Sequence, residues 1–275
     1  MSIPVALQLY SVRDELENDF AGTLFKVKEM GYDGVELSGL NGKDPKMVKS
    51  AVDQAGLFVM SSHVPFREMQ TDPQKTVKDY KTAGCKYIVI PWMDTDRLPG
   101  GSSFTDMEKA IRETGRIAHE NGLTLLYHNH DFEFKRVDGE LILDLIYQSF
   151  PEEYLKTQID TCWAKVGGVD PAEYIRKYKG RAPLVHIKDF VMENQTSGNL
   201  YELIGDDAVS RNTSAHGFDF RPVGYGQQDV LSILEASAYA GTEWVIVEQD
   251  NSSERPALEA AKMSIEYLRS LDFYK

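Results

Sequence analysis

The chain has 275 residues, of which 42% are hydrophobic and 27% charged, and its formal net charge is −13. That composition supplies a sizeable core and argues against disorder. The acidity disfavours nucleic acid and anionic membrane surfaces, where Lys and Arg carry the affinity, and it suits a neutral small molecule or a cation.

In chain order, short apolar runs alternate with segments of helical spacing. The first run, Val5–Tyr10, lacks a basic leader and reads as a strand, so the cytoplasm is the expected compartment. Seven more strands are expected at Gly34–Leu37, Leu57–His63, Tyr87–Trp92, Leu123–Asn129, Thr157–Asp160, Leu184–Lys188 and Trp244–Glu248. Most are apolar without clean alternation, as strands covered on both faces should be. Between them, Asp44-Pro45, Asp72-Pro73 and Asp170-Pro171 each open a helix that ends near Gly56, Gly84 or Gly180. Asp caps the exposed amides, Pro suits the first turn and Gly takes the left-handed stop. Thr105 with Glu108 reads as a capping box. Repeated units of this kind predict an α/β fold, a single (β/α)8 TIM barrel domain over residues 1–275. An open doubly wound sheet is the competitor, but the first βα turn, Ser11 to Glu15, has no Gly-rich fingerprint. A long stretch from Phe190 to Gln228, rich in Gly, Asn, Ser and Asp, leaves the seventh strand at the face where barrel active sites sit. No run is long and apolar enough for a transmembrane helix. Cys85 and Cys162 are too few for a disulfide framework and are expected as buried thiols.

The polar residues at the carboxyl ends of these strands carry the chemistry. They are Gln8, Tyr10, Glu36, His63, His128, Asn129, His130, Asp160, His186, Lys188, Asp189, Glu248 and Gln249, with Trp163 just beyond the sixth strand. Four of the six histidines fall at such ends. Neighbouring strands five to eight offer His128 (or His130), Asp160, His186 and Glu248, two imidazoles and two carboxylates that can converge on one divalent ion. The set suits Mn²⁺, Co²⁺, Zn²⁺ or Fe²⁺ better than Ca²⁺. Strand alternation puts His128 and His130 on one face, with His130 a layer higher, within reach of substrate. Glu133 is a candidate acid or base, and Lys188 a group to bind a substrate hydroxyl or a developing enolate. Glu36 and Glu248 can bracket a substrate carbon for proton removal and return. Gln8, His63, Trp163 and Arg221 complete the candidate substrate contacts. Trp92 is a second ring for stacking, His216 in the long loop can approach substrate, and His119 is expected at the surface.

These residues resemble the sugar phosphate isomerase/epimerase family of xylose isomerase-like barrels, which includes ketose epimerases, inosose dehydratases and apurinic endonucleases. The resemblance spans essentially the whole chain. It rests on Leu7-Gln8-Leu9-Tyr10-Ser11-Val12-Arg13, Gly34-Val35-Glu36-Leu37, Ser62-His63, Tyr127-His128-Asn129-His130, Ile159-Asp160-Thr161, Val185-His186-Ile187-Lys188-Asp189, Pro222-Val223-Gly224-Tyr225-Gly226 and Val247-Glu248. It implies a metal held from strands five to eight, onto which Asp160, His186 and Glu248 map. The family's strand-five Glu is His128 here, and Trp163 stands where the epimerases carry a His after the strand-six Asp. Both departures weigh against a ketose epimerase, and the Tyr-His-x-His form is similar to inosose dehydratases.

The expected function is therefore an isomerase, epimerase or dehydratase-type lyase acting on a keto-sugar or keto-polyol through an enediolate, with the resemblance favouring an isomerase. It would use one divalent metal (Mn, Co, Zn or Mg) and a small sugar or polyol as partner, without nucleic acid or membrane; homo-oligomerisation is open. The alternatives are a non-catalytic sugar-binding or partner barrel, and an apurinic endonuclease, which would need three zinc ions and a basic groove.

Overall fold

The computed structural model describes residues 3–193 and 217–274. Its strands are β1 (Val5–Gln8), β2 (Gly34–Ser38), β3 (Phe58–His63), β4 (Tyr87–Ile90), β5 (Thr124–His128), β6 (Arg136–Val137), β7 (Glu140–Leu141), β8 (Lys156–Asp160), β9 (Leu184–Ile187), β10 (Asp189–Met192), β11 (Phe218–Arg221) and β12 (Trp244–Val247). Eight of them close into a parallel barrel in the order β1-β12-β9-β8-β5-β4-β3-β2. All eight expected strands are present, and the α/β barrel expectation holds.

Five of the eight stop one or two residues earlier than apolar runs alone suggest, for local reasons, while β3 and β8 end where expected and β2 runs one residue further. After Gln8 the side-chain oxygen accepts from Tyr10 N at 3.1 Å, and the chain turns into a short 3-10 helix, Leu9–Val12. Pro91 follows Ile90 and has no amide to extend a ladder. The helix openings at Asp44, Asp72 and Asp170 are as expected, each carboxylate accepting first-turn amides. The capping box at Thr105 does not form. The helix Phe104–Glu120 begins two residues earlier, at Ser103, whose hydroxyl donates to Asp96 Oδ2 at 2.8 Å. The cause is the tight closure of the preceding loop, where Ser103 N bonds Asp96 O at 2.9 Å.

Two hairpins lie outside the barrel. β6 and β7 pair around Asp138-Gly139, both at positive φ, as a two-residue hairpin turn requires. β10 and β11 pair antiparallel, Asp189 opposite Arg221 and Met192 opposite Phe218. They are the two described arms of the long stretch after the seventh strand. His216 lies outside the described residues. Cys85 and Cys162 are buried and unbridged, and no helix among the described residues is long and apolar enough to cross a membrane.

The layering inside the barrel positions the site. Ala6, Leu126, Leu184 and Ile246 form part of one apolar inner cluster. Two residues on, the same inward face carries Gln8, His128, His186 and Glu248, all buried. The ladder sets their heights. His128 is level with Gln158, Asp160 and Ile246 with His186, and Gln8 with Glu36. The apolar layer closes the barrel from below, and the polar layer faces the end where the βα loops emerge.

Candidate active site

Ligand-capable atoms of His128, Asp160, His186 and Glu248 lie within 4.8 Å of one another, and those of His63, His128 and His186 form a second, overlapping group. All four members of the first group are buried. His186 Nδ1 is 2.9 Å from Glu248 Oε2, and His128 Nε2 is 3.9 Å from Asp160 Oδ2. Asp160 spends Oδ1 on the amide of Trp163 at 2.9 Å, capping the helix Thr161–Val166. Its Oδ2 has no hydrogen-bond donor among the described residues. Lys188 Nζ lies 3.3 Å from that oxygen without hydrogen-bond geometry. A buried carboxylate oxygen left this way is costly unless a cation completes it. The donor set therefore fits a divalent ion.

The tautomers suit the same purpose. Gln158 Nε2 donates to Glu36 Oε1 at 2.7 Å, so its carbonyl oxygen must face the other way. There it meets His63 Nε2 at 2.8 Å and His128 Nδ1 at 3.0 Å. A carbonyl only accepts, so both nitrogens carry protons, and His128 Nε2 keeps its lone pair toward Asp160. Burial, with His186 and His63 adding to it, holds His128 well below the usual histidine range, in its neutral form. His186 is different. Burial works against its charge, but Glu36 and Glu248 outweigh it and hold the imidazole up to about 10. Burial likewise raises the Glu248 carboxyl, yet Lys188 and His186 keep it well below the carboxylate range. For Asp160 burial wins and its carboxyl is pushed up.

Glu36 meets the other nitrogen of the His186 ring from Glu248 and is fully buried. It accepts from Gln8 Nε2 at 2.8 Å, Ser61 Oγ at 2.7 Å, Gln158 Nε2 at 2.7 Å and His186 Nε2 at 2.6 Å. His63 stacks on His186, ring centroids 5.3 Å apart and planes 5° from parallel, with Nε2 3.4 Å from Glu36 Oε2. Gln8, Glu36 and His63, expected at the substrate, are thus tied into the network that holds the quartet. Two neighbouring inward positions join them without having been singled out in the sequence, Gln158 and Ser61. Gln158 was legible by alternation, two residues before Asp160.

Lys188 is buried among carboxylates, 2.9 Å from Glu248 Oε2 and 3.0 Å from Asp250 Oδ1. Its ammonium lies 5.5 Å from the Trp163 ring and 5.7 Å from that of Phe220. Asp250 was also missed in the sequence, although it stands only two residues beyond Glu248. Trp163 is fully buried. It packs against Phe218 at 6.2 Å and Phe220 at 6.0 Å, so the β10–β11 hairpin covers it. His130 sits between that wall and the quartet, 5.2 Å from the His128 ring and 5.7 Å from Trp163.

The remaining candidates fall away from the quartet. Glu133 accepts from Tyr127 Oη at 2.7 Å and His130 N at 2.8 Å, on the outward side of β5. Burial pushes its carboxyl up to about 8, against the pull of those two hydrogen bonds. Arg221 is paired with Asp219 and with Glu254 at 3.0 Å. Trp92 is 40% exposed, and His119 is exposed as expected.

The family model for the xylose isomerase-like TIM barrel matches residues 24–271. The chain belongs to the xylose isomerase-like TIM barrel family. Within the curated proteins it is similar to the inosose dehydratase of Geobacillus kaustophilus (strain HTA426). The two are 26% identical, over 90% of this chain and 86% of the relative. Among solved structures it is similar to a sugar phosphate isomerase/epimerase from Parabacteroides distasonis ATCC 8503, with a TM-score of 0.79 and 23% identity. That match covers 99% of this chain and all of the other. It also resembles a 3-keto-D-glucoside 4-epimerase from E. coli, with a TM-score of 0.68 and 18% identity, over 98% of this chain and 100% of the other. At those identities the two structures report the fold that this xylose isomerase-like barrel shares with them, and the chemistry has to be argued from its own site.

Proposed function

We propose that this barrel is a metal-dependent enzyme that removes the proton next to a ketone in a keto-polyol or keto-sugar. From there it either returns the proton, as an isomerase or epimerase, or expels a hydroxyl as water, as a dehydratase. The carrying observation is the buried quartet of His128, Asp160, His186 and Glu248, with Asp160 Oδ2 lacking a hydrogen-bond donor among the described residues. The curated relatives named inosose dehydratase favour the dehydratase branch. So does His128, which leaves strand β5 without the carboxylate that would pair with Glu248 across the site.

The quartet would hold one divalent cation, Mn, Co, Zn or Mg, which supplies Lewis acidity toward a carbonyl and its neighbouring hydroxyl. The chain's own groups do the rest. Lys188 donates to the oxygen on which enolate charge develops, in a pocket kept dry by Trp163, Phe218 and Phe220. His130 takes the α-proton, from its position between the ring of His128 and that of Trp163. Glu248, immediately past the end of β12, would carry a second proton. In the elimination the C–H bond breaks, its electron pair forms the C=C bond, and the β-hydroxyl leaves with a proton as water. Glu36, Gln8, His63 and Gln158 hold the ligands in orientation and touch no reacting atom.

Proton exchange in D2O tests the step common to all branches. Protein loaded with Mn²⁺ should wash out the signal of the hydrogen next to the keto group of an inosose or a keto-sugar, and His130→Ala should lose that exchange while still taking up metal. Absence of both exchange and water elimination across such ketones, with each of the four metals, would remove the proposal.

A further inference from the structure

Lys188 stands in the wrong place to be only a substrate contact. Its side chain is 2% exposed, and its ammonium lies 2.9 Å from Glu248 Oε2 and 3.3 Å from Asp160 Oδ2. Those are the carboxylate oxygens that approach the nitrogens of His186 and His128. A cation in the quartet needs the same two oxygens. The other side of the ammonium is held by Asp250, at 3.0 Å to Oδ1 and 3.1 Å to Oδ2. The rings of Trp163 and Phe220 flank it at 5.5 and 5.7 Å. The nearest carboxylate that is not itself in the quartet is therefore Asp250.

Resting on the metal reading above, we propose that Lys188 is a built-in competitor of the metal. In the metal-free protein it neutralises Asp160 and Glu248, and when a divalent ion enters it withdraws onto Asp250. Two facts of electrostatics require the exchange. Buried carboxylates without a counter-charge are unstable, and Asp160 Oδ2 has no hydrogen-bond donor among the described residues, so without a metal Asp160 and Glu248 gain from the ammonium beside them. An ammonium and a divalent ion a few ångströms apart in a low-dielectric pocket repel strongly, so the two do not share the oxygens. Withdrawal also aims the ammonium, still beside the metal ligands, at an incoming substrate oxygen. Metal affinity is thereby limited by the chain itself, and Asp250 sets the limit by how firmly it holds the lysine back.

The test is Mn²⁺ titration of the demetallated full-length protein, reading free Mn²⁺ by electron paramagnetic resonance. Lys188→Met should bind Mn²⁺ at least tenfold tighter than wild type while melting at a lower temperature without metal. Lys188→Gln carries the same sign if the Met variant does not fold. Asp250→Asn should weaken binding about tenfold, and in the Lys188→Met background its effect should shrink to less than threefold, the mark of an action through the lysine. A lysine that serves substrate alone would leave the Mn²⁺ affinity where it was. If wild type binds Mn²⁺ and neither lysine variant binds it tighter, the competition is overturned and the metal reading stands. If wild type takes up no Mn²⁺, the metal reading falls and the competition with it.

Discussion

Asp189 gives the most calculable test of how the site is covered. Its carboxylate is fully buried and accepts four backbone amides. Oδ1 takes Phe190 N at 2.9 Å and Gln228 N at 3.0 Å; Oδ2 takes Gly224 N and Gly226 N, both at 3.0 Å. One side chain thereby ties the start of β10 to the loop that follows β11. In Asp189→Asn one oxygen becomes an NH2 group facing two donors, so two hydrogen bonds to a charged acceptor are lost whichever way the amide turns. At about 1.5–3 kcal/mol each, that amounts to about 3–6 kcal/mol. Gly224 and Gly226 are half-buried, so water can reach part of the gap, and the expected loss is about 2–4 kcal/mol. Against the ordinary stability of a domain, about 5–15 kcal/mol, this is large. Urea unfolding should show a lower midpoint at unchanged slope, and amide exchange at residues 224–228 should quicken most. Gly226→Ala should act on the same tie, since an added Cβ would come within 2.2 Å of Asp189 Oδ1. The two changes together should cost less than their sum. A midpoint for Asp189→Asn within about 0.5 kcal/mol of wild type, the usual range of a neutral surface change, would refute the reasoning.

Three other perturbations separate parts of the account. Glu133 is raised to about 8 by burial, so its neutral form is the one the fold favours. The stability it contributes is complete below the unfolded value, near 4.3, and is lost as pH rises through about 8. Glu133→Gln cannot ionise, so it should gain on wild type between pH 5.5 and 9 in urea midpoints; an equal difference at both pH values would count against the shift. Gln158→Leu removes the oxygen that sets the His63 and His128 tautomers, and metal affinity should drop about 10–100-fold, with the fold retained by far-ultraviolet circular dichroism. An unchanged affinity would mean that His128 needs no orienting partner. Gly115→Ala, inside the helix Phe104–Glu120, would gain about 1 kcal/mol on helix propensity alone. Here its Cβ would lie 2.3 Å from Tyr154 O, so a net loss of about 1–3 kcal/mol is expected in the melting curve, and a stabilised protein would show that the contact yields.

The barrel was legible because its signals are local and repeated. Asp-Pro openings, Gly stops and apolar runs recur along the chain, and none depends on distant contacts. That His128, Asp160, His186 and Glu248 converge was legible for a related reason, since strand ends in a barrel all point to one mouth. What could not be read was which polar side chains are spent on one another. Glu36 looks like a free carboxylate in Gly34-Val35-Glu36-Leu37, and only the closed barrel brings Gln8, Ser61, Gln158 and His186 onto it. Glu133 was placed by proximity to His130, yet Tyr127 draws it to the outward side of β5. Asp250 lies past the apolar run that marks β12, and its part appears only when Lys188, between β9 and β10, reaches it. The β6–β7 hairpin did leave a signal, Asp138-Gly139, though its arms are two residues each and too short for periodicity to register.

The proposed chemistry stands on the quartet of His128, Asp160, His186 and Glu248 being a metal centre. Plasma mass spectrometry of the purified protein, wild type beside His128→Ala, tests it most directly. About one equivalent of a divalent metal is expected in wild type, and its loss in the variant. Wild-type protein that carries no metal after reconstitution with Mn²⁺, Co²⁺, Zn²⁺ or Mg²⁺, or a His128→Ala variant that carries as much as wild type, would contradict it.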